Sequence, residues 1–268
     1  MKTYQQIQEG VYDPNIFKAV FLAGGPGSGK SFVVRQTTGG LGLKILNSDD
    51  IYEKDLEKAG LDAGKPEDIF SDEGHAIRGR SKQKTKKRQD LWVNGRLGII
   101  IDGTGKDVGK ISRQKSLLDQ IGYDCYMIFV NTSLDIAQER NMQRKRKLQP
   151  KAVEQMWNAV QRNIGGFQRV FGSKNFIIVD NNENISDGDL FAECTKRIRG
   201  LVSGKPTKRA AQFWIKGELQ KKSKAGGMFK GKIKTTGRRR GQNNLMLLIL
   251  EVLNSESPLR FAPIRKNH

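Results

Sequence analysis

Gly24-Gly25-Pro26-Gly27-Ser28-Gly29-Lys30-Ser31 is the stretch of this 268-residue sequence that decides its fold. The pattern G-x-x-x-x-G-K-[ST] is the Walker A motif, a loop whose backbone N–H groups surround phosphate oxygens. It follows the apolar run Lys18–Ala23 and opens a helix, whose positive end adds to the attraction for an anion. We therefore predict a loop that binds the phosphates of ATP. Lys30 should reach the β- and γ-phosphates, and the Ser31 hydroxyl should bind Mg²⁺.

The next part of the chain alternates short apolar runs with longer segments suited to helices. After the strand at 18–23, further strands are predicted at residues 43–46, 98–101, 126–130 and 176–180. Helices are predicted over most of 51–96, at 110–121, 133–147 and 150–170, and from the turn after residue 180 to about 199. This alternation predicts βαβ units and an α/β fold with a mainly parallel sheet covered on both faces. Ligands of such sheets bind beyond the carboxyl ends of the strands.

Asn47-Ser48-Asp49-Asp50 lies at the end of the predicted second strand. A kinase needs a carboxylate beside the acceptor hydroxyl, to orient it and to take its proton. We predict that Asp49 is this catalytic residue, and that Asp50 contacts the acceptor, assists with the metal or holds the loop. The competing interpretation is that the two aspartates only cap the start of a helix, where Asp is favoured.

Asp102-Gly103-Thr104-Gly105 follows the apolar strand at 98–101. An apolar strand that ends in an acid is typical of a Walker B element, so we predict that Asp102 lies near Mg²⁺ or its water ligands. Thr104 and Gly105 are candidates for contact with the acceptor. The alternative is an ordinary turn at the end of a strand.

Arg140, Arg144 and Arg146 fall within the predicted basic helix 133–147. Arg140 and Arg144 are four residues apart and would share one helix face. Many P-loop kinases close a basic lid over the phosphates, where guanidinium groups neutralise charge in the transition state. We predict a lid role for at least one of these arginines. A solvated basic face is the other interpretation.

Residues 77–88 carry seven basic side chains between the Asp49 and Asp102 strands. An acceptor-binding segment often lies at this position, so a phosphorylated acceptor could bind there, with Arg78 as the named candidate. A solvated helix face explains the same pattern equally well. His75 precedes this run and is interpreted as a surface or packing residue.

The net charge of +20 is concentrated near the C-terminus. Residues 203–268 contain 16 Lys and Arg against 3 Asp and Glu, whereas the remainder contains 32 against 25. Excess basic charge favours a polyanionic partner such as nucleic acid, although a solvated surface is the simpler alternative. Residues 205–240 are expected to form a flexible basic segment, with the Phe213-Trp214 pair either packing or stacking on bases. Residues 245–253 are expected to form a short apolar helix.

We divide the chain into a lead-in at 1–17, a P-loop kinase domain at 18–200 and a basic C-terminal extension at 201–268. No run of 18 or more apolar residues and no apolar signal region occur, so we expect no membrane partner. The two cysteines, Cys125 and Cys194, make no disulfide framework, which favours a cytoplasmic protein.

The motifs at 24–31, 47–50 and 102–105 together resemble those of the zeta-toxin-like P-loop kinases, and the likeness extends over about residues 18–180. The polynucleotide 5′-kinases have a similar order of motifs. The resemblance implies a three-layer α/β/α P-loop NTPase fold that uses ATP and Mg²⁺. It also implies a catalytic aspartate at Asp49 and a lid arginine among residues 140–146. Two positions depart from these families, since zeta toxins usually have Glu at position 102 and the 5′-kinases an arginine shortly after Asp50.

Three functions remain open at the level of sequence. The first is an ATP-dependent kinase of a hydroxyl on a small molecule or nucleotide sugar. The second is a polynucleotide kinase acting on nucleic-acid ends, with the basic extension holding the substrate. The third is an ATP-binding nucleic-acid adaptor or ATPase that transfers little phosphate.

Overall fold

A parallel β-sheet forms the centre of the computed structural model, which describes residues 11–144, 146–182 and 189–227. Its five strands lie in the order β2-β3-β1-β4-β5, and every pairing between neighbours is parallel. The strands are β1 (Lys18–Ala23), β2 (Lys44–Leu46), β3 (Ile99–Asp102), β4 (Asp124–Asn131) and β5 (Phe176–Asp180). The predicted α/β fold with a parallel sheet is confirmed.

Helices follow the strands along the chain. They are α1 (Lys30–Thr38), α2 (Ser48–Lys58), α3 (Pro66–Ile69), α4 (Asp72–Asn94), α5 (Val108–Gln120), α6 (Leu134–Met142), α7 (Pro150–Gln161), α8 (Ile164–Phe171), α9 (Asp189–Ser203) and α10 (Arg209–Gly227). In the described part of the chain, no helix is both long and apolar enough to cross a membrane.

The central strands are buried on both faces because helices cover both sides of the sheet. All six residues of β1 are buried, and so are seven of the eight in β4. On one face, Val20 and Leu22 pack in a cluster with Val33 of α1 and Ile198 of α9. On the other face, Phe21 contacts the ring of Phe171 in α8. Continuous apolar runs are what a parallel strand buried on both faces requires.

The structure corrects two predicted helices. The basic helix expected at 133–147 ends at Met142, so Arg144 lies beyond it and the shared-face argument for Arg140 and Arg144 is wrong. The buried Asn141 turns the chain, because its side chain hydrogen-bonds both the N–H and the C=O of Leu148. The helix expected at 150–170 is two helices, α7 and α8, separated at Arg162 and Asn163.

The segment expected to be flexible begins as a helix packed on the core. Residues 209–227 form α10, whose Trp214 contacts the ring of Phe17 at 5.3 Å between centroids. Ala211 lies directly against Gly122. The flexible interpretation is therefore wrong for these residues, and Trp214 packs rather than stacking on a ligand. The apolar segment 245–253 lies outside the described residues.

Candidate active site

Close packing of the phosphate-binding loop against α6 explains its glycines. Gly24 follows the last residue of β1, and Gly27 and Gly29 have φ of +76° and +81°. A Cβ on Gly27 would lie 2.2 Å from the carbonyl oxygen of Ala137 in α6, so no side chain fits there. Gly29 caps the N-terminus of α1. The loop therefore lies between the end of β1 and the start of α1, as the motif predicts.

Lys30 folds back over the loop. Its Nζ donates to the carbonyl oxygens of Gly24 at 2.7 Å and of Gly25 at 3.1 Å. Removal of the ammonium from water lowers its pKa to about 8, while the charges of Asp102 and Asp49 act in the opposite direction. The first residue of α1 thus holds a poorly solvated cation at the place where phosphate oxygens are expected.

Ser28 lies in a buried polar cluster beneath the loop. Its carbonyl oxygen accepts hydrogen bonds from Asn181 Nδ2 at 2.6 Å and from Thr132 Oγ1 at 3.2 Å. Its own hydroxyl is buried and has no hydrogen-bond partner among the described residues. An unsatisfied buried donor is costly in a folded protein. The Ser28 hydroxyl is therefore suited to an oxygen ligand such as a phosphate.

Asn47 connects two carboxylates and one backbone N–H at the ends of β2 and β3. Its Oδ1 accepts the backbone N–H of Asp49 at 2.8 Å, which caps α2. Its Nδ2 donates to Asp102 Oδ2 at 2.9 Å and to Asp50 Oδ1 at 3.0 Å. Burial raises the pKa of both of these carboxyls, and the opposing influences are Lys30 for Asp102 and Lys54 for Asp50. The arrangement concentrates negative charge beside the loop.

This donor set fits Mg²⁺. The described residues contain no cluster of three His, Cys, Asp or Glu side chains of the kind that encloses a metal. Mg²⁺ at phosphoryl-transfer sites instead uses one or two carboxylates, water and substrate phosphates. Asp102, desolvated and hydrogen-bonded through one oxygen only, has the chemistry for such a ligand. Ser31 offers a solvent-exposed residue in the first turn of α1.

Asp49 pairs with Arg78 at the outer side of the site. Arg78 Nη1 lies 2.7 Å from Asp49 Oδ1, and the side chain of Asp49 is 56% exposed. The guanidinium of Arg78 also lies over the Tyr52 ring, 4.9 Å from its centroid. The charge of Asp49 acts on Lys30. The structure therefore brings together Asp49, Lys30 and Arg78, which are separated by up to 48 positions along the chain.

Arg140 and Arg144, two of the arginines predicted to have a lid role, occupy different positions. Arg140 Nη1 donates to the carbonyl oxygen of Asn181 at 2.8 Å and lies near Gly29. Arg144 is exposed beyond the end of α6, and its charge contributes to lowering the pKa of Lys30. Both arginines lie beside the loop, although on different local structures.

The loop after β3 contacts the phosphate-binding loop through its backbone. Gly24 N–H donates to the carbonyl oxygen of Thr104 at 3.3 Å, while Thr104 itself is exposed. Gly105 is buried with φ of +78°, and a Cβ there would lie 2.6 Å from that of Ala23. Asn163 donates to the Gly105 carbonyl oxygen at 2.9 Å. Thr104 thus has an exposed side chain beside the site. At position 105 glycine is required because any side chain would collide with Ala23.

Sequence reasoning missed three residues that support the site. Asn181 and Asn163 hold loop carbonyls as described above. Trp157 is half-buried, lies against Gly25 and donates from Nε1 to the Thr132 carbonyl oxygen at 2.7 Å. Asn181 directly follows β5, and its position after a strand was the one available signal. The sequence around Asn163 and Trp157 gave no signal, because the contacts of these two side chains depend on how α7 and α8 pack against the rest of the protein.

Comparisons with known proteins give a family. A family model described as an AAA domain matches residues 20–166, more than half of the chain. A search of curated proteins finds no match.

Several solved structures are similar to the chain at low sequence identity. A shikimate kinase from Acinetobacter baumannii in complex with shikimate is 18% identical, with a TM-score of 0.43, over 71% of this chain and 96% of that chain. A gluconokinase from Sinorhizobium meliloti 1021 is 13% identical, with a TM-score of 0.39, over 76% and 98%. A structure of the PezAT chromosomal toxin–antitoxin system of Streptococcus pneumoniae is 13% identical, with a TM-score of 0.43, over 81% and 88%.

Proposed function

The chain belongs to this family of AAA domains, and from that premise we propose that it is an ATP-dependent kinase that transfers the γ-phosphoryl group to a hydroxyl. The observation that carries the proposal is the position of Asp49. Its half-exposed carboxylate is paired with Arg78, and its charge acts on Lys30 of the phosphate-binding loop. A carboxylate that is both accessible and next to the phosphate site suits an acceptor hydroxyl.

Binding of ATP is assigned to the loop and its surroundings. The N–H groups of residues 24–31, the Ser28 hydroxyl and the Lys30 ammonium would hold the phosphates. Arg140 and Arg144 would offset charge from the side of α6. Ser31 and Asp102 would hold Mg²⁺, which would neutralise the negative charge that develops on the phosphates.

Asp49 would accept the proton of the acceptor hydroxyl as the hydroxyl oxygen attacks the γ-phosphorus. A new O–P bond forms, the bond from the γ-phosphorus to the bridging oxygen breaks, and ADP leaves. Arg78 would hold the carboxylate of Asp49 in place through their ion pair, while Asp50 and Thr104 are the remaining candidates for acceptor contact. The resemblance to zeta-toxin-like kinases favours a small molecule or nucleotide sugar as acceptor, and this assignment stays a prediction.

The test is incubation with γ-labelled ATP and Mg²⁺ against nucleotide sugars, 5′-hydroxyl DNA and RNA, and a cell extract. We expect label on an acceptor, and loss of that label in both Lys30→Ala and Asp49→Asn. Binding of ATP should fail only in Lys30→Ala, because Asp49 acts on the acceptor. Normal turnover by Asp49→Asn would remove Asp49 from the role assigned to it. Bound ATP with no labelled acceptor would favour the adaptor or ATPase alternative.

A further inference from the structure

Helix α4 has an uninterrupted basic segment. Between Glu73 and Asp90 the chain has no acidic residue, and its seven Lys and Arg side chains fall between positions 78 and 88. All but Arg78 belong to exposed residues. So long a run of one sign costs free energy through self-repulsion unless a partner of opposite charge offsets it.

Only part of this charge is neutralised by the protein. Arg78 pairs with Asp49, and Lys84 pairs with Asp55 of α2 at 2.9 Å. Four others are exposed and have no ion-pair partner within the described ranges, and we name them the basic track. They are Arg80, Lys86, Lys87 and Arg88.

The basic track leads away from the proposed active site. Asp49 lies opposite Arg78, and Asp55 lies opposite Ser81 and Lys84, so α2 and α4 run side by side in the same direction. Arg80 is two residues beyond Arg78. At about 1.5 Å per residue, the track from Arg80 to Arg88 extends about 12 Å along the helix.

An exposed aromatic residue lies at the other end of α4. Phe70 is 71% exposed and contacts the ring of His75, with 6.3 Å between centroids. Proteins bind single-stranded nucleic acid with basic side chains that contact its phosphates and exposed rings on which its bases stack. A membrane surface fits less well. A helix that lies in a membrane needs an apolar face, whereas Ile77 and Val93 of α4 are buried in the protein and Leu91 is the helix's one exposed large apolar residue.

We infer that the basic track and Phe70 bind single-stranded nucleic acid, with the track on its phosphates and Phe70 on a base. This inference does not depend on the proposed phosphoryl transfer, because none of these side chains belongs to the ATP site. It is also separate from the basic extension after residue 203, which the experiment leaves in place.

The test measures binding of the full chain to a fluorescein-labelled single-stranded oligonucleotide of about 20 nucleotides, by fluorescence anisotropy across a salt series. The track variant carries Arg80, Lys86, Lys87 and Arg88 each changed to Gln. The control variant removes the same two Arg and two Lys charges from exposed positions elsewhere before residue 203, by changing Arg162, Arg169, Lys174 and Lys196 to Gln. Circular dichroism and thermal melting check that both variants keep the fold.

We expect the track variant to bind on the order of tenfold or more weakly at physiological salt. The slope of log affinity against log salt should fall by about 2 to 3, since each contact with a single strand contributes about 0.7. The control variant should keep the slope of the unchanged protein. Phe70→Ala should weaken binding by roughly fivefold or more, because it removes one stacking contact.

Equal losses in the track and control variants would overturn the inference, because only net charge would then matter. An unchanged slope in the track variant would overturn it too. Vesicles of phosphatidylserine and phosphatidylcholine provide the test against a membrane partner. If the track substitutions abolish vesicle binding and leave oligonucleotide binding intact, the inference is wrong. Lys30→Ala should bind the oligonucleotide normally, so failure of the kinase proposal and failure of this one are distinguishable.

Discussion

Asn47 positions three acids of the proposed site with a single side chain. It caps α2 through the N–H of Asp49 and donates to one oxygen each of Asp50 and Asp102. Two desolvated carboxylates close together repel, and a neutral donor between them reduces that repulsion while occupying only one oxygen of each. We therefore propose that Asn47 positions Asp102, the carboxylate assigned to Mg²⁺.

Two substitutions of Asn47 separate its cap from its bridge between carboxylates. Asn47→Ser keeps a side-chain cap and loses the bridge, whereas Asn47→Ala loses both. We expect Asn47→Ala to lower the free energy of unfolding by about 1 kcal/mol and Asn47→Ser by much less. Both should raise the Mg²⁺ concentration needed for half-maximal transfer. Urea unfolding and Mg²⁺ titration of activity measure these effects, and unchanged Mg²⁺ dependence in Asn47→Ser would show that the bridge has no such role.

The pKa of Lys30 predicts a proton taken up with ATP. Burial lowers this pKa to about 8 in the free protein, and phosphate oxygens should raise it again, because they favour the ammonium form. Above pH 8 the free protein has lost much of this proton, so binding there must restore it. Below pH 7 it is already bound. Calorimetry in two buffers of different ionisation enthalpy should show proton uptake on ATP binding at pH 9 and little at pH 6.5.

The lowered pKa of Lys30 also predicts how folding stability changes with pH. The folded pKa lies below the unfolded value near 10.5, so between these values the unfolded chain binds more protons. The contribution of Lys30 to folding in the absence of ATP should therefore become more favourable as pH rises through that interval. Absence of buffer-dependent heat at pH 9 would contradict the desolvated state of Lys30.

Sequence was informative for residues that directly follow a strand. Asp49 and Asp102 lie at neighbouring strand ends because parallel strands end at one edge of the sheet. Lys30 was located by the spacing of its motif. Asn163 could not be predicted, because its contact with Gly105 is made across 58 positions and depends on the docking of α8. Contacts between residues so far apart in sequence depend on tertiary packing, which a local sequence pattern does not predict.

At the scale of elements, the phosphate-binding loop and α6 must be considered together. Gly27 has its φ of +76° and touches the backbone of α6, whereas Gly40 has a similar φ of +80° with no atom within 4 Å of an added Cβ. Replacing each by alanine separates backbone strain from close approach. Gly40→Ala should cost about 1 kcal/mol, the strain of a left-handed residue.

Gly27→Ala should cost about 1–3 kcal/mol more than Gly40→Ala, because the methyl group collides with the Ala137 carbonyl. It should also weaken ATP binding, while Gly40→Ala leaves it unchanged. Thermal unfolding and nucleotide titration of the two variants make the comparison. Equal stability of the two would mean that α6 moves away at little cost, and the loop would then not depend on that contact.

The early end of α6 is a feature that the sequence pattern could not predict. Residues 140–147 contain neither Gly nor Pro, so their composition favours a continuing helix. The helix nevertheless ends at Met142, since the buried Asn141 side chain binds the backbone of Leu148 twice. Asn141 looks like an ordinary polar helix residue until its burial is known. In contrast, β1 and β4 were predictable because wholly apolar runs flanked by polar residues have few other solutions.

At the scale of the whole molecule, the carboxyl ends and the amino ends of the strands contact different parts of the chain. The carboxyl ends of the strands hold the proposed site, while the amino ends of β1 and β4 hold the start of the C-terminal extension. Lys18 and Asp124 are the first residues of these strands and form a buried ion pair at 2.8 Å. Asp124 also accepts from Thr207 N–H at 3.0 Å and from its hydroxyl at 2.5 Å. Contacts of Asp124 with Thr207 therefore cross the predicted boundary near residue 200. The division into a domain at 18–200 and an extension at 201–268 stays a prediction.

Asp124→Asn should be the more damaging of two substitutions in this network. It leaves the Lys18 ammonium, whose side chain is 1% exposed, without its counter-charge, and breaking a buried pair costs about 3–5 kcal/mol. Thr207→Val removes only the hydroxyl hydrogen bond to the same carboxylate and keeps the backbone N–H bond and the ion pair, so about 1–2 kcal/mol is expected. The double variant Lys18→Met with Asp124→Leu should recover much of the loss, because it removes both charges together. Urea unfolding ranks the three. If Asp124→Asn cost no more than Thr207→Val, Lys18 would have to reach water, and the extension would be held by the contact of Trp214 with Phe17 rather than by charge.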